Sequence, residues 1–186
     1  MIMNKKQIVL RDSCSEDIED YIRWHTTDVE WMNWDAPWEQ TESVNVAQLT
    51  SNIRKRIDHP ESPRKRLEIS LDTGEHIGWV TSYLIEGDTT KLAVGIDIPE
   101  EKYRGGGNGR IALECWMNYL FTSYGQPQLY TQTWSGNGRM IKLAEKLGFQ
   151  ESKRKVGMRE VRGALYDAIT YEVTRERFYE GRCCSA

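Results

Sequence analysis

The sequence predicts a single mixed α/β domain, a mostly antiparallel sheet flanked by helices on both faces. Three observations lead there. Segments alternate in the order strand, two helices, three strands, helix, strand, helix, two strands. After residue 66 the apolar period drops from helical to strand-like, with Leu67, Ile69 and Leu71 alternating with polar neighbours. Residues 92–134 read strand–helix–strand, the order of a right-handed parallel crossover.

The elements follow in order. Residues 7–11 (QIVLR) read as a first strand. Ser13 and Glu16 have capping-box spacing, and Ile18, Tyr21 and Ile22 give a helix over 14–26. Pro37 and irregular aromatics make 31–40 a loop. Val46, Leu49, Ile53 and Ile57 predict a helix over 42–58, followed by the proline-bearing linker 58–66. Turns at 72–75 and 86–91 divide strands near 67–71, 76–87 and 92–98. A glycine loop then leads into a helix over 108–123, with Gly109, Leu113, Trp116 and Leu120 on one face. A strand over 128–134, a helix over 137–149 ended by Gly148, and strands near 150–159 and 165–174 complete the chain.

The 186 residues are 39% hydrophobic and 28% charged, with net charge −3, and predict a soluble globular protein with one domain over 1–186 and a core over about 7–178. An acidic balance argues against direct nucleic-acid binding. The basic runs Arg54-Lys55-Arg56, Arg64-Lys65-Arg66 and Lys153-Arg154-Lys155 accordingly read as solvated surface. No segment has the length of a membrane span or the apolar core of a signal peptide, so no membrane partner is expected and a cytoplasmic location is. Cys14, Cys115, Cys183 and Cys184 read as reduced thiols, and with His25, His59 and His76 they form no metal-ligand spacing, so no metal is expected.

The most informative stretch is Tyr103-Arg104-Gly105-Gly106-Gly107-Asn108-Gly109-Arg110. Glycines at a strand-to-helix junction let main-chain N–H groups face an anion, and a helix start adds unpaired donors and partial positive charge. Arg104 and Arg110 can add side-chain charge. The Lys-Ser/Thr of a P-loop is absent, and the G-x-G-x-x-G register of a dinucleotide fold is missed. The pattern [Gln/Arg]-x-x-Gly-x-[Gly/Ala] is met by Arg104, Gly107 and Gly109.

With that pattern the sequence resembles the GNAT superfamily of acyl-CoA-dependent N-acetyltransferases. Ile96-Asp97-Ile98-Pro99 resembles the end of the family's pantetheine-binding strand, and residues 74–87 its central hairpin. Asn137 followed by Glu145-Lys146-Leu147-Gly148-Phe149 resembles its second signature. Gly163-Ala164-Leu165-Tyr166-Asp167, Tyr171 and the tryptophan-rich front segment resemble the ribosomal-protein-acetyltransferase-like branch; the likeness covers about 7–178.

The resemblance implies the acyl-CoA N-acyltransferase fold, with a parallel, splayed strand pair (92–98 and 128–134) at the coenzyme site. It implies acetyl-CoA as co-substrate, with its diphosphate on Arg104, Gly105, Gly106, Gly107, Asn108, Gly109 and Arg110. The pantetheine arm would lie along Ile96 and Ile98, an N–H near Ile98 would serve the oxyanion, and Asn137 and Lys142 would touch the coenzyme. Where the family commonly has a tyrosine acid, this chain has Ala144, and Ala93 stands where the branch often has a glutamate.

Glu68 and Asp97, both on central strands, are the candidate general bases; a solvated residue, a structural hydrogen-bond partner and a water chain are the alternatives. Trp24, Trp31, Trp34 and Trp38 lie among Asp28, Glu30, Asp35, Glu39 and Glu42, with no lysine or arginine between Trp24 and Ile53. Trp31, Trp34, Asp35 and Trp38 are therefore candidate contacts for a cationic amine, with core packing as the alternative. The expected activity is direct acetyl transfer, in a ternary complex, to a primary amine: a protein N-terminus or a small molecule. A non-catalytic acyl-CoA-binding or sensor protein is the alternative. The branch often forms homodimers, but this sequence decides no oligomeric state.

Overall fold

The computed structural model describes residues 3–5, 8–39 and 44–183. Its strands are β1 (Met3–Lys5), β2 (Ile8–Arg11), β3 (Arg66–Leu71), β4 (His76–Leu84), β5 (Leu92–Asp97), β6 (Gln128–Trp134), β7 (Gln150–Val161) and β8 (Ala164–Thr174). Its helices are α1 (Asp17–Thr26), α2 (Val46–Asp58), α3 (Asn108–Tyr124), α4 (Gly138–Lys146) and α5 (Arg175–Cys183). The strands run β1-β2-β3-β4-β5-β6-β8-β7 in a mixed, mostly antiparallel sheet, the class the sequence predicts. Two compact units emerge, residues 1–81 with 96–115 and residues 82–95 with 116–186.

In the first unit β1, β2, β3 and β4 pair antiparallel. Ile8, Leu10, Leu67, Ile69 and Ile77 are buried there, and Tyr21, Trp24, Trp31, Ile53 and Trp79 form the aromatic cluster under α1 and α2. The α2 start is capped by Asn45, whose Oδ1 accepts from the Gln48 N–H at 3.0 Å. Residues 42 and 43 of the expected helix lie outside the described residues.

The capping box expected for α1 does not form. Glu16 makes no side-chain cap. Ser13 Oγ instead donates to Glu68 Oε1 at 2.5 Å, and Asp17 Oδ2 accepts from the Cys14 N–H at 2.7 Å. Arg11 then grips Asp17 through two bonds of 2.8 and 2.6 Å, so the helix begins at an ion pair rather than a hydroxyl.

The β3–β4 ladder slips between Ile69 and Ser70: Ile69 faces Gly78 and Ser70 faces His76, leaving Ile77 as the extra residue of a bulge.

In the second unit β5 and β6 are parallel, paired at Ala93↔Tyr130, and Thr131 Oγ1 donates to the Val94 carbonyl at 2.9 Å. The β6–β8 ladder runs from Gln128↔Thr174 to Trp134↔Ala168, and β7 and β8 form a hairpin turning at Arg162–Gly163. Gly148 ends α4 in a Schellman arrangement: the Phe149 N–H reaches the Ala144 carbonyl at 3.1 Å and the Gly148 N–H that of Glu145 at 3.1 Å. The sequence reading has no counterpart for β1 or α5; α5 packs Phe178 on Phe121 with ring centroids 5.1 Å apart.

Candidate functional site

Within the first unit, β5 ends at Asp97, a 3₁₀ turn spans Glu101–Tyr103, and the glycines precede α3. Gly105 and Gly107 have φ of +81° and +93°, a region that side chains disfavour, and an ideal Cβ at Gly105, Gly106 or Gly107 would meet nothing within 4 Å. The loop thus has open space above it. The Ile111 N–H bonds to the Gly107 carbonyl at 3.1 Å, so the amides of Asn108, Gly109 and Arg110 precede that helical bond. The Asn108 side chain closes the turn by donating to the Tyr103 carbonyl at 3.0 Å.

Arg104 does something other than offer charge to an anion. Its Nε donates to the Ile98 carbonyl at 2.7 Å, its Nη2 to the Pro99 carbonyl, and its Nη1 to Glu30 Oε2 at 2.6 Å. It ties the loop to the strand end, with its charge met by Glu30. Arg110 is more open, 4.0 Å from Glu114.

The two candidate bases have opposite surroundings. Glu68 is fully buried rather than solvated. Its carboxylate accepts from Ser13 Oγ, from Tyr21 OH at 2.7 Å and from His76 Nε2 at 3.2 Å. Burial raises its pKa, but the His76 bond and then the Arg66 charge outweigh this and hold it at about 2. His76 is gripped in turn, its Nδ1 3.3 Å from Asp17 and 3.2 Å from Asp20.

Asp97 goes the other way. It is half-buried at the molecular surface yet crowded by protein atoms. That burial, and then the charge of Asp35, push it up to about 8 against the opposing pull of Arg66 and a bond from Trp79. Asp35 keeps exposed surface, but crowding and then Glu39 raise it too. The structure therefore brings Asp97 and Asp35 into one electrostatic neighbourhood.

The tryptophans divide. Trp31 is core: it is buried, its Nε1 donates to the Trp24 carbonyl at 2.8 Å, and its ring stands edge-on to Trp79 at 5.4 Å. Trp34 and Trp38 are half-buried and donate to Glu30 at 2.7 Å and Glu39 at 3.3 Å. Several carboxylates of the front segment are thus already engaged, Asp28 by Arg23 at 2.6 Å and Glu30 by Arg104 and Trp34. Glu42 lies outside the described residues.

In the second unit Asn137 caps α4, its Oδ1 accepting from the Met140 N–H at 3.0 Å. The turn before it is pinned to β8, as Ser135 N–H reaches the Asp167 carbonyl at 2.9 Å and Ser135 Oγ accepts from the Asp167 N–H at 2.9 Å. Lys142 is exposed, while Ala93 and Ala144 are fully buried and place no acid or base. Among the described residues no group of three or more His, Cys, Asp or Glu side chains is placed to hold a metal ion, and no helix is long and apolar enough to cross a membrane.

Sequence reasoning missed Tyr21, His76 and Trp79 as the surroundings of the two carboxylates, and misread Arg56 and Arg66. Arg66 closes a basic run, yet its guanidinium lies 4.6 Å over the Trp79 ring. Its one sequence signal is its place two residues before Glu68 on a strand, which puts both side chains on one face.

Residues 7–150 match the family model described as Acetyltransferase (GNAT) domain. Over 78 residues the chain is 32% identical to the SPbeta prophage-derived uncharacterized N-acetyltransferase YokL of Bacillus subtilis (strain 168), covering 42% of this chain and 44% of that protein. The chain thus aligns with less than half the length of that curated relative. Spermidine N-acetyltransferase from Vibrio cholerae, solved with CoA and spermine, superposes with a TM-score of 0.74 at 20% identity, covering 93% of this chain and 98% of that one. The ribosomal L7/L12 alpha-N-protein acetyltransferase RimL, solved with coenzyme A, gives 0.75 at 14% identity, covering 94% and 98%. At these identities the structural likeness is one of fold.

Proposed function

The chain belongs to the GNAT acetyltransferase family, and from that premise we propose that it moves the acetyl group of acetyl-CoA to a primary amine by direct attack in a ternary complex. The observation that carries the reading is the strand end itself: a loop with open space over Gly105–Gly107 follows a strand whose last residue, Asp97, is a carboxylate pushed up to about 8. A diphosphate needs uncovered main-chain donors, and an ammonium needs a proton acceptor of matched affinity.

In this reading the amides over 105–110 hold the coenzyme's diphosphate, and the backbone of Ile96 and Ile98 faces its pantetheine arm. Acetyl-CoA supplies the activated acyl group. Asp97 takes a proton from the acceptor ammonium, freeing the lone pair for attack. A main-chain N–H near Ile98 supports the developing oxyanion, a contribution of about 3–4 kcal/mol for one such donor. With Ala144 in place of a side-chain acid, the leaving thiolate takes its proton from solvent. Glu68, already saturated with donors and held at about 2, acts as an anchor for Tyr21 and His76.

The deprotonated form of Asp97, with the Asp35 charge in its neighbourhood, favours a cationic acceptor, and Trp34 and Trp38 offer it ring faces. Spermidine and a ribosomal protein N-terminus, named for the two structural neighbours, are the starting panel. Cys14 and Cys115 form no disulfide among the described residues, in keeping with a cytoplasmic setting. The buried Ala93 and Ala144 favour a second reading, an acyl-CoA sensor without turnover. Thiol release from acetyl-CoA across an amine panel separates the two: turnover supports the transferase, and CoA binding without turnover supports the sensor. Gly107→Val, which strains a backbone at φ +93°, is expected to weaken CoA binding in calorimetry; unchanged affinity overturns the loop's role.

A further inference from the structure

Arg56 and Arg66 close two basic runs and point inward. Arg56 comes from α2, whose Leu49, Ile53 and Ile57 pack on the aromatic cluster, and its guanidinium lies 5.5 Å from the Tyr21 ring centroid. Its Nε and Nη2 are buried with no hydrogen-bond partner among the described residues. Those two N–H groups form one edge of the guanidinium, the edge that grips a carboxylate through two parallel bonds.

Arg66 reaches the same ring from β3, at 5.1 Å. Its Nη2 donates to Tyr21 OH, but its Nε is also buried and unbonded, 3.6 Å from Glu68 Oε1. Two like charges share one aromatic ring, and burial, then Arg66, hold Arg56 below the ordinary arginine range. Buried donors without acceptors carry their full desolvation penalty. Arg66 is met by Glu68 and by the Tyr21 and Trp79 rings, but the Nε–Nη2 edge of Arg56 has no acceptor among the described residues, its guanidinium resting on the Tyr21 ring. The pair also adjoins the proposed base, since Arg66 lies 4.6 Å over the Trp79 ring and its charge is close enough to Asp97 to oppose the rise of that carboxyl.

We infer that Arg56 and Arg66 hold a carboxylate of the acceptor, whose amino group is turned to Asp97. The acceptor is then an amine that also bears an acid. This rests on the acetyl-transfer reading above and narrows it. The carboxylate belongs either to a free amino acid or to an acidic residue beside a peptide N-terminus, and the test separates these sources.

The acceptors are compared in matched pairs, aspartate against asparagine and a peptide beginning Ser-Asp against one beginning Ser-Asn. In one of the pairs the carboxylate member is expected to show a KM about ten-fold lower or less. Arg56→Gln and Arg66→Gln are expected to bring that ratio to about one, with Arg56→Lys, which keeps charge but loses the fork, in between. Equal KM values in both wild-type pairs, or a preference that survives both glutamine variants, overturn the proposal. Calorimetry with glutarate reads the anion site without turnover. Glutarate binding that is lost in Arg56→Gln supports the site even where no amine is acetylated, which would sink only the transferase reading. Transfer to amines with no discrimination and no glutarate binding sinks only this inference. The wild-type comparisons decide the matter if a glutamine variant fails to fold.

Discussion

Gly78 and Asp97 meet backbone to backbone: a Cβ on Gly78 would stand 2.0 Å from the Asp97 carbonyl oxygen. Gly78 also sits at the bulge that lets His76 reach both its carbonyl, at 3.1 Å, and Glu68. One residue without a side chain therefore lets the proposed base approach the strand that carries the buried anchor. Gly78→Ala has no flexible neighbour to push aside, and is expected to cost at least about 2 kcal/mol. The check is a fall in Tm of about 4–8 °C, with loss of turnover exceeding the loss of folded protein. An unchanged Tm would show that the strands separate at no cost.

Asp97 sets the alkaline side of the pH behaviour. Burial first, then Asp35, raise it to about 8, so it is the deprotonated form that grows as pH rises, and kcat/KM is expected to climb through that range. Asp97→Asn is expected to lower turnover about 100-fold and to remove that limb, with CoA affinity kept; Asp35→Asn is expected to move the midpoint to lower pH. Stability runs oppositely. A carboxyl raised on folding contributes stability that is present below its unfolded value of 3.8 and lost as pH rises through about 8. Denaturant midpoints of the asparagine variant are expected to lack that decline. Retention of the kinetic limb in Asp97→Asn would give the proton to a water relay.

Glu68 sets the acid side. Burial opposes its charge, but His76 and Arg66 prevail and hold it at about 2, below its unfolded value of 4.5. Its contribution is therefore present above pH 4.5 and lost as pH falls toward 2. Glu68→Gln leaves Arg66 and His76 facing a neutral group in a buried site and is expected to cost about 3 kcal/mol. Urea midpoints across this window provide the measurement: the variant should show a flatter acid slope, and a variant as stable as the parent would make the network dispensable.

What was legible in the sequence was what local spacing encodes. The glycine junction and the end of α4 have fixed offsets, and the Schellman bonds of Gly148 and Phe149 are written in consecutive residues. The first-helix cap was misread because Ser13 had a stronger partner 55 residues away, Glu68. Arg56 and Arg66 were hidden because a run of like charges reads as solvated surface, whereas the third residue of each run falls on the inward side of its element. The α5 helix offers little apolar periodicity beyond Phe178, and it is tertiary packing on Phe121 that reveals it. Glu68 was visible as a polar residue on a strand, but not that both faces of β3 are covered.

Arg104 provides the last prediction, because its three partners differ in exposure. The Ile98 and Pro99 carbonyls sit at the strand end, whereas Glu30 has a side chain 55% exposed. An exposed ion pair is worth about 0–1 kcal/mol, while two bonds from one guanidinium to the carbonyls just past the end of β5 hold the glycine loop in place before any ligand arrives. Arg104→Met is therefore expected to raise the CoA Kd about ten-fold by loosening the loop, and Glu30→Gln, which leaves the carbonyl bonds intact, about two-fold or less. Calorimetry with CoA alone reads both. Equal losses in the two variants would mean that Glu30, not the strand end, fixes the loop. No loss in either would mean that the glycine backbone holds its shape without the arginine.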